Sequence, residues 1–144
     1  MPNQYCTFLL DHHLFGVPVE SVQEVLRQQE LTTVPLAPPD VSGLINLRGQ
    51  IITTLELRSR LGLGTRAPGA PAVNVVVRTE AGGVVSLLVD EIGDVLEPTV
   101  ESFEALPETV PSHIRTLVSR VCKLDGRLML VLDTELAVEV GTTA

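Results

Sequence analysis

Short apolar runs separated by polar pairs punctuate the chain and predict a series of hairpins. Tyr5–Leu10 and residues 14–18 flank Asp11-His12-His13. Residues 72–79 and 84–89 flank Glu80-Ala81-Gly82-Gly83, and 121–124 and 127–132 flank Asp125-Gly126, a pair suited to a two-residue turn with positive φ. The run Gly43-Leu44-Ile45-Asn46-Leu47-Arg48-Gly49-Gln50-Ile51-Ile52 joins a turn-forming Arg-Gly pair to an apolar strand. Each hairpin is short, as in small barrels rather than long open sheets. Two of them end alike, Leu88-Val89-Asp90 and Val131-Leu132-Asp133, a faint repeat that hints at two related lobes.

Short helical candidates lie between the hairpins. Val19, Val22, Val25 and Leu26 recur at helical spacing around Glu20, Gln23 and Glu24. Leu57 and Leu61, with Arg58 and Arg60, predict one or two turns stopped by Gly62, and Ser112 to Leu117 predicts another. Thr134 is expected to cap a brief terminal helix through Glu135, Leu136 and Val138. Pro35, Pro38 and Pro39 forbid helix in their segment. Residues 62–71 read as a loop, and 99–111 as an acidic surface segment.

Composition narrows the class. At 144 residues the chain suits one domain with a real core. Its apolar 44% is mostly Val, Leu and Ile, with three Phe, one Tyr and no Trp, which favours sheet. A net charge of −8 repels phosphate backbones and anionic lipid, so neither nucleic acid nor direct membrane insertion is expected. No apolar stretch approaches a membrane span, and Met1-Pro2-Asn3-Gln4 lacks a secretion pattern, so a cytoplasmic location is expected. Cys6 and Cys122 read as small buried hydrophobes.

Reactive chemistry is hard to find. Gly62-Leu63-Gly64-Thr65-Arg66-Ala67 fits the letters of a dinucleotide-binding turn, but Pro68 and Pro71 deny it the helix it must open. Adjacent His12 and His13 on a hairpin point to opposite faces and make a poor metal pair. Asp90, Glu91 and Asp94 alternate with Ile92 and Val95 and read as the polar side of a turn. No catalytic residue, metal ligand or cofactor site is expected. What remains is Arg48, set between Leu47 and Gly49 in a segment expected to be half-buried. Its stem can pack while its head pairs with Glu24 or Glu56, or anchors a protein-binding groove.

Several stretches together point to one family. They are Phe15-Gly16-Val17-Pro18-Val19 with Val22-Gln23-Glu24-Val25-Leu26, then Val34-Pro35-Leu36-Ala37-Pro38 with Val41 to Gly49, and finally Leu88-Val89-Asp90 and Leu124-Asp125-Gly126-Arg127-Leu128. The chain resembles the CheW-type coupling proteins of bacterial chemotaxis over nearly its whole length. The resemblance implies a mainly β fold: two small five-stranded SH3-like barrels packed around a shared hydrophobic core, with a few short helices. Residues 1–144 would then be a single CheW-like domain. Its lobes would be 15–85, the first barrel, and 1–14 plus 86–144, the second.

The same resemblance implies a non-enzymatic signalling adaptor that couples chemoreceptors (methyl-accepting chemotaxis proteins) to a CheA-type histidine kinase. Its expected partners are the chemoreceptor cytoplasmic helical tip and the kinase regulatory domain, at membrane-associated receptor arrays. The receptor groove would involve Val19, Val22, Glu24, Val25, Gly43, Asn46, Arg48 and Gly49. Two departures stand out. Thr53-Thr54 replaces a proline and an aliphatic residue, and Arg120 stands where glycine is common. They motivate the alternative of a divergent receptor-binding scaffold that does not engage the kinase.

Overall fold

The computed structural model describes residues 4–139. The first three residues of the N-terminal stretch read above, and the chain from 140 to 144, lie outside the described residues. The order is β1 (Tyr5–Leu10), β2 (His13–Pro18), a 3-10 turn (Val19–Ser21), β3 (Val22–Arg27), β4 (Val41–Leu47), β5 (Gln50–Glu56), α1 (Leu57–Arg60), β6 (Val73–Arg78), β7 (Val84–Val89) and β8 (Glu91–Leu96). A second 3-10 turn (Val100–Ser102), β9 (Phe103–Glu104), α2 (Ser112–Arg115), β10 (Val118–Leu124), β11 (Arg127–Leu132) and α3 (Thr134–Ala137) follow. The fold is mainly β with few short helices.

The strands form two sheets, ordered β8-β1-β2-β11-β10-β9 and β3-β6-β7-β5-β4. Apart from the two-residue β9, they share one pairing pattern. Two antiparallel pairs are followed by a parallel pair, β2 with β11 or β7 with β5, and then an antiparallel hairpin. Because β2 belongs to the first sheet and β7 runs to Val89, the chain changes sheet at Val19–Ser21 and at Asp90, rather than at residues 15 and 85.

Both sheets curl until distant strands touch. In the second, β3 and β4 are opposite edges, and a flat sheet would hold them roughly 19 Å apart at about 4.8 Å per strand. Yet Thr32, just past β3, exchanges backbone hydrogen bonds with Leu44 of β4 at 2.8 and 2.9 Å. Gly43 makes this approach possible: a Cβ there would lie 2.7 Å from the Thr32 carbonyl oxygen. In the first sheet Tyr5 of β1 and Phe103 of β9 are four strands apart, but their ring centroids stand 5.5 Å apart.

Curling gives each sheet a small interior and leaves its other face for a common core. Tyr5, Leu14, Cys122, Met129 and Val131 fill the first interior; Ile45, Leu47, Ile52 and Val76 fill the second. Between the sheets, Phe8, Leu10, Phe15 and Val17 meet Leu55, Val75, Val77, Leu87 and Val89 in one continuous cluster. Strands such as β1 and β6 are therefore buried on both faces, which is why their sequences run apolar without clean alternation. Cys6 and Cys122 are buried free thiols, and burial pushes both thiol pKa values up.

The structure corrects four sequence expectations. Residues 22–27 form strand β3, not a helix, because the β-branched Val22 and Val25 pair with Val77 and Val75 across an edge. Glu91 to Leu96 forms strand β8, not a turn; an edge strand tolerates Glu91 and Asp94 because it faces water. The repeat also lies elsewhere than Asp90 and Asp133. The equivalent residues are Glu56, the last of β5, and Asp133, just past β11, each with φ −82° and capping the short helix after it, so Asp133 rather than Thr134 caps α3. Their side chains accept from Arg58 N–H at 3.3 Å and Leu136 N–H at 3.1 Å.

An ionic knot closes one end of the seam between the sheets. Arg58 Nη1 meets Asp90 at 2.6 Å and Asp11, in the β1–β2 turn, at 2.7 Å. Arg66 spans Asp90 at 2.8 Å and Glu56 at 2.5 Å. Burial opposes the Arg58 charge, but the Asp11 hydrogen bond and the Asp90 and Asp11 charges more than offset it, so its pKa is raised. The interior of the second sheet has a polar layer, in which Asn74 Nδ2 donates to Ser86 Oγ at 2.8 Å. Thr54, register partner of Ser86, is fully buried, and its Oγ1 has no hydrogen-bond partner among the described residues.

Two stability predictions follow from these packing facts. Thr54→Val, which removes an orphaned hydroxyl at nearly constant shape, is expected to raise stability by about 1 kcal/mol in urea unfolding. Arg58→Ala, which removes a buried guanidinium from Asp11 and Asp90 but leaves Asp90 paired with Arg66 and Asp11 in solvent, is expected to lower it by about 1–2 kcal/mol in the same measurement.

Candidate functional site

The eight residues singled out in the sequence gather on the second sheet and the turn that enters it. Val19 lies in the first 3-10 turn, Val22, Glu24 and Val25 on β3, Gly43 and Asn46 on β4, and Arg48 and Gly49 in the β4–β5 turn. Because the sheet curls, its edge strands β3 and β4 come together, and Glu24 and Arg48 meet across that closure. Val19 and Val22 pack partly into the shared core, while Val25 stays partly open to solvent. Gly43 acts from beneath, by letting the Thr32 backbone close against β4.

Arg48 occupies an unusual backbone position. Arg48 and Gly49 both have positive φ, 51° and 87°, the signature of a tight two-residue hairpin turn. Glycine adopts this freely, whereas a residue with a Cβ is disfavoured there by roughly 1–2 kcal/mol. Asn46 steadies the turn: its Oδ1 accepts from the Gly49 N–H at 2.9 Å. The guanidinium then forks onto Glu24, Nη1 donating to Oε2 at 3.3 Å and Nη2 donating to Oε1. Of the two partners open to Arg48 in the sequence, Glu24 is therefore the one it takes.

The Arg48 side chain is 67% exposed, so it stands on the surface and not in a half-buried groove wall. An exposed pair of this kind adds little to stability. It does fix where a cation is displayed. The hydrogen bond from Arg48 lowers the Glu24 carboxyl pKa; desolvation opposes this and the Arg48 charge adds to it.

One contributor went unseen in the sequence. Ile51 is 60% exposed and sits opposite Asn46 on β5, whereas its neighbour Ile52 is buried. The Ile51-Ile52 pair carried the signal, since adjacent strand residues face opposite ways and one of them had to be outside. The site thus combines an oriented arginine, an amide and exposed aliphatic side chains. Thr54 faces inward and leaves no mark on this surface. Arg120 keeps strand backbone at a bulge in β10, with its guanidinium bonded to the Tyr5 hydroxyl.

No group of three or more His, Cys, Asp or Glu side chains suited to a metal ion occurs among the described residues. No helix there is long and apolar enough to cross a membrane. Two curled sheets around a shared core, displaying an ordered ion pair beside aliphatic side chains, define a protein-interaction module.

Comparison with known proteins makes the assignment specific. Residues 4–140 match the model of the CheW-like domain, and the chain belongs to that family. It is 30% identical over 128 residues to a probable chemotaxis protein CheW of Rhizobium etli, covering 89% of this chain and 82% of that one. It is 26% identical over 126 residues to the chemotaxis protein CheW of Bacillus subtilis, covering 88% and 80%. The crystal structure of the scaffolding protein TtCheW from Thermoanaerobacter tengcongensis superimposes with a TM-score of 0.86 at 28% identity, covering 98% of this chain and 95% of that one. It has two SH3-like β domains, the architecture seen in this chain. The chain is a chemotaxis coupling adaptor of the non-catalytic scaffold type.

The geometry of the ion pair is open to a direct check. A carboxyl whose folded pKa is depressed is stabilised above its ordinary range and loses that stabilisation as pH falls through the lowered value. Carbon-13 NMR titration of Glu24 is expected to show a midpoint below the ordinary glutamate range, and Arg48→Ala is expected to move it upward.

Proposed function

We propose that the closure of the second sheet, from Val19 to Gly49, is where this adaptor docks the cytoplasmic helical tip of a chemoreceptor. The single observation that carries the reading is Arg48, held on a strained turn and tied to Glu24 across the meeting edges of the sheet. A cation oriented before binding loses little further freedom when a partner arrives. Exposed Val25 and Ile51 supply apolar area beside it, the arrangement that accepts one face of an amphipathic helix.

Coupling needs a second attachment, and the regulatory domain of a CheA-type histidine kinase is its proposed partner. The chain would then reside at membrane-associated receptor arrays through its partners rather than through lipid contact. The net charge of −8 agrees with that route, since it disfavours adsorption to anionic headgroups.

Replacing Arg48 with Ala or Glu is expected to weaken co-sedimentation with a receptor cytoplasmic fragment by about tenfold or more, with an unchanged circular dichroism spectrum. Wild-type binding by both variants would remove the assigned surface. A pull-down with the kinase regulatory domain tests the second attachment. Capture by the wild-type chain and by Arg48→Ala alike is expected, and no capture of either would leave a receptor-only scaffold.

A further inference from the structure

Because β2 and β11 run parallel, with Met129 beside Leu14, both strands start at the same end of the first sheet. The turns that precede them therefore come together, and α2 with the stretch before it closes the side. A cavity of about 260 Å³ results. Its floor is apolar, since Leu14, Val110, Ile114 and Leu130 are all buried. Its mouth is basic: His12 and Arg127 are exposed, and His13 is half-buried.

No carboxylate lines this cavity, in a chain whose net charge is −8. Asp11, Glu108 and Asp125 are neighbours in sequence, but Asp11 turns to Arg58 at 2.7 Å and the other two lie outside the lining. Arg127 pairs with no carboxylate among the described residues. The His13 ring stands edge-on to Phe15, centroids 6.2 Å apart, so packing fixes it at the mouth. Size limits the occupant. Pockets for drug-sized ligands span roughly 300–1,000 Å³, so this space suits one short aliphatic group. A stable protein interface buries about 800 Å² on each side. Around this mouth only Pro111 and Leu128 add exposed apolar surface, which is too little for one.

We propose that the cavity is a binding site for a free aliphatic carboxylate of the short-chain fatty-acid type. The tail lies on Ile114 and Leu130, where its methylenes leave water. The carboxylate meets Arg127, whose planar fork takes both oxygens, and the ring N–H groups of His12 and His13. The ligand thereby joins the β1–β2 turn to the start of β11. The site belongs to the first sheet and the closed edge to the second, so it goes beyond receptor docking and does not depend on it.

The test titrates octanoate, below its micellar concentration, into the full chain with NMR-labelled methyl and amide groups. Octanoate is expected to shift the signals of Leu14, Val110, Ile114 and Leu130 saturably, with a dissociation constant of about 1 mM or tighter. Octylammonium keeps the tail and reverses the charge, and acetate keeps the head with almost no tail. Each is expected to bind at least about tenfold more weakly. Equal binding by octylammonium would overturn charge recognition, and equal binding by acetate would overturn the apolar floor. Arg127→Ala, a change at an exposed position where folding is not at stake, is expected to weaken octanoate about tenfold, and Arg48→Ala to leave it unchanged. Wild-type affinity in Arg127→Ala, or shifts that spread over other apolar surfaces without saturating, would overturn the site. Acetyl-Gly-Gly-Leu, a peptide ending in an aliphatic residue and a carboxylate, tests the other source of this chemistry. Weaker binding than octanoate supports the free ligand, and tighter binding would overturn it and give the cavity to a chain end.

Discussion

Closing a five-stranded sheet until its two edges meet is the constraint on which the site depends. The contact needs a backbone-to-backbone approach between Thr32 and Leu44, and Gly43 is the position that would obstruct it if it carried a side chain. Once closed, the sheet brings Glu24 of one edge to Arg48 beyond the other. The ion pair is thus a consequence of closure and adds little to holding it, since exposed pairs contribute little to stability. Its value lies in orientation.

Curling has a second consequence for energetics. Each sheet must fill its own interior and also cover its neighbour, so most strands are apolar on both faces. The apolar layer between the sheets ties the halves together, and the knot of Arg58, Arg66, Asp90, Asp11 and Glu56 pins one end of that seam. The short helices α1 and α3, each capped by the acid that precedes it, meet at the same seam: Arg60 donates to the Leu136 and Ala137 carbonyls at 2.6 and 3.2 Å. These contacts hold the two halves as one scaffold, a suitable base for a protein whose activity is to be touched by others.

Much of the fold was legible because hairpins declare themselves locally. The Asp125-Gly126 turn and the breaks at Asp11-His12 and Gly82-Gly83 mark their strands within a few residues. Strand β3 was misread because Val19, Val22 and Val25 fall at helical spacing, while what decides their state is pairing with β6, more than forty residues away. The strand at Glu91 to Leu96 was hidden for the opposite reason: its acids suit a water-facing edge but resemble a turn. At the site, Arg48 and Gly49 were visible as a turn, and Glu24 as one of two partners. Ile51, the ionic knot and the Tyr5–Arg120–Phe103 cluster were not, because each depends on which distant strands the curl brings together.

The most direct measurement is the map of amide chemical-shift changes in the nitrogen-15-labelled chain when a receptor cytoplasmic fragment is added. Changes concentrated at Val22 to Val25, Thr32, Leu44 and Asn46 to Ile51 are the expected result, since these residues form the two sides of the closed edge. Changes confined to the far sheet, with the closed edge silent at saturation, would contradict it.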